Sequence, residues 1–168
     1  KAANNLQGDL IERCSGSNLP ALENNNFTGE FIMIRIIVTG AAGRMGRRLV
    51  ANIAESGDLK LAGATERPGS EFLGLDAGTV AGVAPQGVRI TDDFAGLVSQ
   101  ADAVIDFSTG AVISNARLAA SKGLSIVIGT TALTADDKAE LKKLADAGAK
   151  IVFASNYSVG VNLLFYLT

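Results

Sequence analysis

The sequence contains no histidine and no tryptophan, one cysteine, three prolines and an aromatic fraction of 5%. Each scarcity closes a class of function. Without histidine this polypeptide offers no histidine general base, no Ser-His-Asp triad and few of the usual zinc ligands, and no metal site is expected within it. Cys14 has no partner in the chain; a disulfide framework is excluded, and a reducing cytoplasm is the expected location. No run of about 18 apolar residues could span a membrane, and a formal net charge of −2 gives no broad electrostatic reason to bind nucleic acid. What the chain has instead is 19 glycines and 48% hydrophobic residues in 168. That suffices for one sizeable core and is short for two full domains.

Residues 1–32 are Asn-rich, lack sustained periodicity and precede Met33, which reads as a native start. The Asn24-Asn25-Asn26 run and Gly29-Glu30-Phe31 suggest an added, vector-derived leader, with a native extension as the alternative. From Met33 onward, β-branched runs alternate with helical windows, the pattern of an α/β domain with a parallel sheet. Strands are expected at Ile34–Thr39, Leu59–Thr65, Val88–Ile90, Ala103–Phe107, Ser125–Ile128 and Ile151–Ala154. Helices are expected at Arg44–Glu55, Asp93–Ser99, Ala111–Ser121 and Ala135–Ala147, the last opened by a Thr134/Asp137 capping box and closed by Gly148. The Gly-rich stretch Arg67–Gly87 reads as a loop.

The most informative segment is Ile34–Gly46, where a β-branched run breaks into Gly40, Gly43 and Gly46. A strand, a tight turn and a helix start in this order form a cradle for a pyrophosphate: glycine admits φ > 0 and close approach, and helix N–H groups favour an anion. The next strand delivers Glu66, which lies 66 − 46 = 20 residues past the last glycine, where a dinucleotide fold hydrogen-bonds the adenosine ribose. A solvated loop carboxylate is the plainer alternative. Arg67 beside it could meet a 2′-phosphate, so NADH and NADPH are both expected. Arg44, in a first helical turn that disfavours cations, makes better sense facing a phosphate, whereas Arg47 and Arg48 are assigned to the solvated face.

Ligands of an open parallel sheet bind beyond the carboxyl ends of its strands. Here those ends carry Phe107-Ser108-Thr109, Gly129-Thr130-Thr131 and Ser155-Asn156-Tyr157. Ser108 and Thr109 are equally well explained as helix caps. Asn156 and the Gly129–Thr131 turn fall where a nicotinamide would lie.

Taken together, these blocks resemble the N-terminal part of the 4-hydroxy-tetrahydrodipicolinate (dihydrodipicolinate) reductases of lysine biosynthesis. The resemblance runs from Met33 to the end. It rests on Gly40-Ala41-Ala42-Gly43-Arg44-Met45-Gly46, Glu66-Arg67, Gly74-Leu75-Asp76-Ala77-Gly78, Asp106-Phe107-Ser108, Gly129-Thr130-Thr131 and Ser155-Asn156-Tyr157-Ser158-Val159-Gly160-Val161-Asn162. It implies a Rossmann-type, doubly wound α/β domain at residues 33–158, and at 159–168 the start of a hinge and of a catalytic and tetramerisation domain. It further implies that Gly40 to Gly46 hold the pyrophosphate, Glu66 the ribose and Arg67 the 2′-phosphate. Phe107 would contact the cofactor, and Gly129, Thr130, Thr131, Ala154, Ser155, Asn156 and Tyr157 would surround the nicotinamide, with Thr131 near a small-molecule substrate. Ala132 departs from the family's usual glycine, and the family's catalytic histidine and lysine belong to sequence beyond Asn162. The implied reading is the NAD(P)H-binding part of a reductase, inactive alone, monomeric as a fragment and homotetrameric when intact. The rivals are another amino-acid-pathway dehydrogenase and a nucleotide-sensing module without a reaction of its own.

Overall fold

The computed structural model describes residues 33–167, apart from 132 and 155 and the side chain of 165. The expectations for residues 1–32, Ala132 and Ser155 therefore lie outside the described residues.

Six strands form one sheet: β1 (Ile34–Thr39), β2 (Leu59–Thr65), β3 (Ile90–Thr91), β4 (Ala103–Asp106), β5 (Ser125–Ile128) and β6 (Lys150–Phe153). Their spatial order is β3-β2-β1-β4-β5-β6 and every pairing is parallel. The helices are α1 (Arg44–Glu55), α2 (Ala77–Ala81), α3 (Val112–Ser121), α4 (Ala135–Asp146) and α5 (Val159–Leu167), with a 3-10 turn at Val98–Gln100. Strand order reverses between β1 and β4, the place where a doubly wound sheet opens a crevice.

Both sheet faces are covered because consecutive side chains of β1 point to opposite sides. Ile37, fully buried, joins Val104, Ile126, Ile128, Ala116 and Leu141 in one core layer, while Ile36 and Val38 join Val50, Ile53, Leu61 and Ile90 in the other. Each such burial of an Ile, Val or Leu stabilises by about 1.5–3 kcal/mol relative to exposure. The bulge in the β1–β2 register falls between Ile36 and Ile37. Next to it Gly63 leaves room for Leu97, whose Cδ1 lies 2.8 Å from where a Cβ would stand.

Three expectations need correction. The third strand is Ile90–Thr91 rather than Val88–Ile90, because Val88 and Arg89 run antiparallel to Leu75–Ala77: Ala77 N–H donates to Val88 O (2.8 Å) and Ile90 N–H to Leu75 O (2.9 Å). No α-helix forms over Asp93–Ser99: the backbone closes three-residue steps instead, Leu97 N–H on Phe94 O (3.1 Å) and Gln100 N–H on Leu97 O (2.9 Å), and ends in the 3-10 turn. The stretch read as loop contains α2, whose N-cap Asp76 accepts from Thr79 N–H and whose end is set by Gly82 at φ 81°. α5 lies in a segment for which no helix is expected from the periodicity. The Thr134/Asp137 capping box forms as expected, with Gly148 at φ 99° just past the cap.

Candidate functional site

The last paired row of the sheet crosses as Thr91, Thr65, Thr39, Asp106, Ile128 and Phe153. It is polar on β3, β2, β1 and β4, the last two of which border the reversal, and apolar on β5 and β6. Thr39 and Asp106 are buried, so the floor of the crevice carries polar groups out of contact with solvent.

The glycine turn rises from this floor. Gly40 adopts φ 71°, and a Cβ there would lie 2.8 Å from Phe107 O, so the loops after β1 and β4 touch at the reversal. Gly43 N–H donates to Gly40 O (3.0 Å), and Ala41 N–H to Thr65 O (3.0 Å), tying the turn to β2. Ala41 and Ala42 are buried in the second core layer. The three glycines divide the work. A Cβ at Gly46 would run into Gly40 O and stand 2.6 Å from Ala41 Cα, so this glycine lets α1 pack directly beneath the turn. At exposed Gly43 a Cβ would meet only Gly40 O, at 3.2 Å, and this is the face left open for a ligand.

The first helical bond of α1 is Arg47 N–H to Gly43 O (3.0 Å). The amides of Arg44, Met45 and Gly46 therefore have no acceptor within the helix, and neither a capping side chain nor an acid in the first turn supplies one. With the helix dipole they form an anion-accepting end. Arg44 is exposed there and Met45 is half-exposed.

The Glu66 carboxylate bridges two amides at the end of β2, accepting Ala42 N–H on Oε2 (3.1 Å) and Arg67 N–H on Oε1 (3.1 Å). It is thus held against the turn, with exposed Arg67 beside it. Arg47 is not on the solvated face. Its Nε donates to Ala42 O (2.8 Å) and its guanidinium lies 4.9 Å from the centre of the Phe72 ring. Helical spacing alone missed it, because its partners are a turn carbonyl and a ring in a distant loop.

Beyond the reversal, Asp106 organises the loop after β4. Its Oδ1 accepts Ser108 N–H (2.8 Å) and the Ser108 hydroxyl (2.7 Å), and its Oδ2 accepts Asn115 Nδ2 from α3 (2.9 Å). The Phe107 ring covers Gly129 so closely that a Cβ there would collide with it. Gly129 N–H donates to Asp106 O (2.9 Å). Thr130 is buried and Thr131 exposed, beside a recess of about 70 Å³ lined by Gly110, Val112, Ile113, Thr130, Leu133 and Asp137.

After β6, Ala154 is half-buried. The Tyr157 hydroxyl donates to Ile128 O (2.8 Å), latching this segment to β5, and burial pushes the phenol above its ordinary value. Asn156 Oδ1 accepts Ser158 N–H (2.7 Å), while its carbonyl accepts Asn162 Nδ2 (2.9 Å), which fixes the entry into α5. The carboxyl ends of the strands thus bring the Gly40–Gly46 turn, Glu66, Arg67, Phe107 and Gly129–Thr131 around one crevice, with Asn156 and Tyr157 at its β5–β6 end. A larger cavity of about 240 Å³ lies away from it, at the amino ends of β5 and β6 among Gly123, Leu124, Gly148 and Lys150. It has no set of converging polar side chains.

Strand order, glycine turn and acid at the end of β2 make this a Rossmann-type domain. Residues 34–157 match the family described as dihydrodipicolinate reductase, N-terminus, and the chain belongs to that family. It is 49% identical over 136 residues to the 4-hydroxy-tetrahydrodipicolinate reductase of Anaeromyxobacter sp. (strain Fw109-5), covering 80% of this chain and 50% of that protein. It is 46% identical over 136 residues to that of Rhodopseudomonas palustris (strain BisB5), with the same coverage. The chain spans about half the length of the curated relatives it matches. Among solved structures, the dipicolinate-bound dihydrodipicolinate reductase from Paenisporosarcina sp. TG-14 aligns with a TM-score of 0.63 at 22% identity, over 80% of this chain and 52% of that one. The WlbA dehydrogenase from Bordetella pertussis, in complex with NADH and UDP-GlcNAcA, aligns at 0.53 and 24%, over 71% and 35%. These likenesses support the fold.

Proposed function

We propose that this chain is the dinucleotide-binding part of a cytoplasmic reductase that converts 4-hydroxy-tetrahydrodipicolinate to tetrahydrodipicolinate with NADH or NADPH. The observation that carries the reading is the open Gly43 face beside a helix end whose amides lack intrahelical acceptors, with Glu66 and Arg67 at the next strand end. The cradle fits a pyrophosphate: bare backbone, converging N–H groups and no competing carboxylate in the first helical turn.

In this reading Gly40–Gly46 bind the pyrophosphate, Arg44 adds positive charge, Glu66 accepts from the ribose and Arg67 meets a 2′-phosphate when one is present. The bound nicotinamide supplies the hydride. Phe107 and Gly129–Thr131 shape the wall against which its ring is held, and Ala154, Ser155, Asn156 and Tyr157 close the far side, with Thr131 nearest the substrate. None of these side chains is suited to donate a proton near neutral pH. Tyr157 is pinned to a backbone carbonyl with its proton held more tightly than usual, and hydroxyls and amides are poor acids. Substrate fixation and the proton would come from residues outside the chain, in a homotetrameric intact enzyme, with residues 33–158 as the cofactor domain and 159–168 opening the next one.

Titration of the purified chain with NADH and NADPH, by fluorescence or calorimetry, tests the reading. Saturable binding of at least one dinucleotide at one site per chain is expected, together with no substrate-dependent NADH oxidation. Failure to bind either one overturns the proposal, and turnover by the chain alone overturns its catalytic half.

A further inference from the structure

A cation in the first turns of a helix opposes the macrodipole, so Arg47 needs a reason to be where it is. Its contacts supply one. The peptide between Ala42 and Gly43 is held at both ends: its carbonyl accepts from Arg47 Nε (2.8 Å), and its N–H donates to Gly40 O (3.0 Å). The preceding peptide is fixed through Ala42 N–H on the Glu66 carboxylate (3.1 Å). Two opposite charges, one just past β2 and one from α1, thus clamp both peptide planes of a single turn residue. The following residue is Gly43, whose lack of a Cβ makes rotation of the 42–43 peptide cheap. Without Arg47, only the Gly40 contact opposes that rotation, and rotation breaks it.

The same guanidinium lies over Phe72, which packs on the second core layer. Phe72 sits within Arg67–Leu75, a segment closed by Ser70 N–H to Arg67 O (3.2 Å), Leu75 N–H to Phe72 O (3.2 Å) and Gly74 N–H to Ile90 O (2.8 Å). One planar cation therefore joins the turn to the loop that carries Arg67, through an Nε hydrogen bond and a cation–π contact that lysine could not reproduce together.

We infer that Arg47 is a positioning residue for the dinucleotide site: with Phe72 as its abutment it locks the Ala42–Gly43 peptide and sets the spacing between the glycine turn and the Arg67 loop. The inference rests on the dinucleotide reading above and deepens it.

The test compares the wild-type chain with R47M, F72L and the double variant. R47M keeps the aliphatic stem and removes the charge and Nε; F72L keeps apolar bulk and removes the ring. R47M should raise the NADH dissociation constant about tenfold and F72L about threefold, while the double variant should be no worse than R47M alone, because one clamp is lost only once. Melting temperatures should stay within a few degrees. Hydrogen exchange at the Gly74 and Leu75 amides, read without ligand, should quicken in both single variants. Binding within twofold of wild type in R47M, or losses that multiply in the double variant, would overturn the inference and leave the dinucleotide reading standing. A wild-type chain that binds neither NADH nor NADPH would overturn that reading itself, and the exchange rates alone would then report whether the clamp exists.

Discussion

The two halves of the crevice are built by different means. Around β1 and β2 the wall is backbone: β1 is buried along its last four residues, its turn closes on itself and on β2 through main-chain bonds, and Glu66 and Arg47 brace it from either side. Around β5 and β6 the wall is side chain. No residue of β6 is fully buried, and what holds the segment after it is the Tyr157 latch and the Asn156–Asn162 pair. Immediately beyond, α5 exposes Val159, Leu163, Leu164, Tyr166 and Leu167. The β1–β2 half is closed by contacts among the described residues, several of them between segments distant in sequence. The other half presents donors and acceptors on a scaffold that is not enclosed by the described residues.

Substitutions separate these modes of construction. The largest effect is expected from Gly46→Val. Its side chain would press into Gly40 O and Ala41, backbone that cannot yield without opening the turn, so stability should fall by about 1–3 kcal/mol or more and NADH binding should be lost as well. Gly43→Ala should instead keep the urea midpoint near wild type and lose affinity, since its Cβ would occupy the open face. Two variants that lost both properties equally would erase the distinction between packing glycine and ligand-facing glycine.

Arg67→Ala probes the ligand side of the backbone-built half. The loss for NADPH should be about 1.5–3 kcal/mol, the worth of a charge-assisted contact, with NADH much less affected. Calorimetric titration with both cofactors decides it, and equal losses would return Arg67 to solvent.

The middle of the site depends on one buried carboxylate. Asp106→Asn would set an amide donor against either Ser108 N–H or Asn115 Nδ2, where the carboxylate accepts from both. An unsatisfied buried donor costs about 1–3 kcal/mol, readable as a shift in the urea midpoint. Unchanged stability would mean that the loop after β4 holds its shape without Asp106.

The backbone-built half was the more legible in sequence. Glycines spaced by three after a β-branched run, and an acid 20 residues on, report on geometry that only certain residues permit. Strands β1, β2 and β5 fell where hydrophobic runs placed them. Contacts between segments distant in sequence were harder to read. Arg47 reads as surface until Phe72 is seen under it, and Asp106 reads as part of a motif until Asn115 is seen to face it. Val88 and Arg89 look like part of a strand in sequence, but Arg89 makes only an isolated antiparallel bridge with Asp76, and Val88 O accepts from Ala77 N–H rather than from the sheet. Periodicity cannot choose between partners.

The smallest effect is expected away from the crevice, at the amino end of the sheet. Arg35 in β1 grips Asp102 by Nη2–Oδ1 (2.7 Å) and Nε–Oδ2 (3.0 Å), with the Arg35 N–H also on Oδ2 (2.9 Å). The guanidinium hydrogen bond first, and then that backbone N–H, hold the Asp102 carboxyl down to about 2, against an ordinary value of 3.8. A carboxyl depressed in the folded state binds protons more weakly than in the unfolded chain. Its stabilising contribution is therefore present above 3.8 and lost as pH falls from there through about 2. Both side chains are close to half-exposed, so solvent and salt screen the pair and the contribution should be small. Urea midpoints of wild type and Asp102→Asn, measured at low salt, should differ slightly near neutral pH, and the gap should close as pH drops through that window. A gap that stays constant with pH would show that Asp102 acts through shape rather than charge.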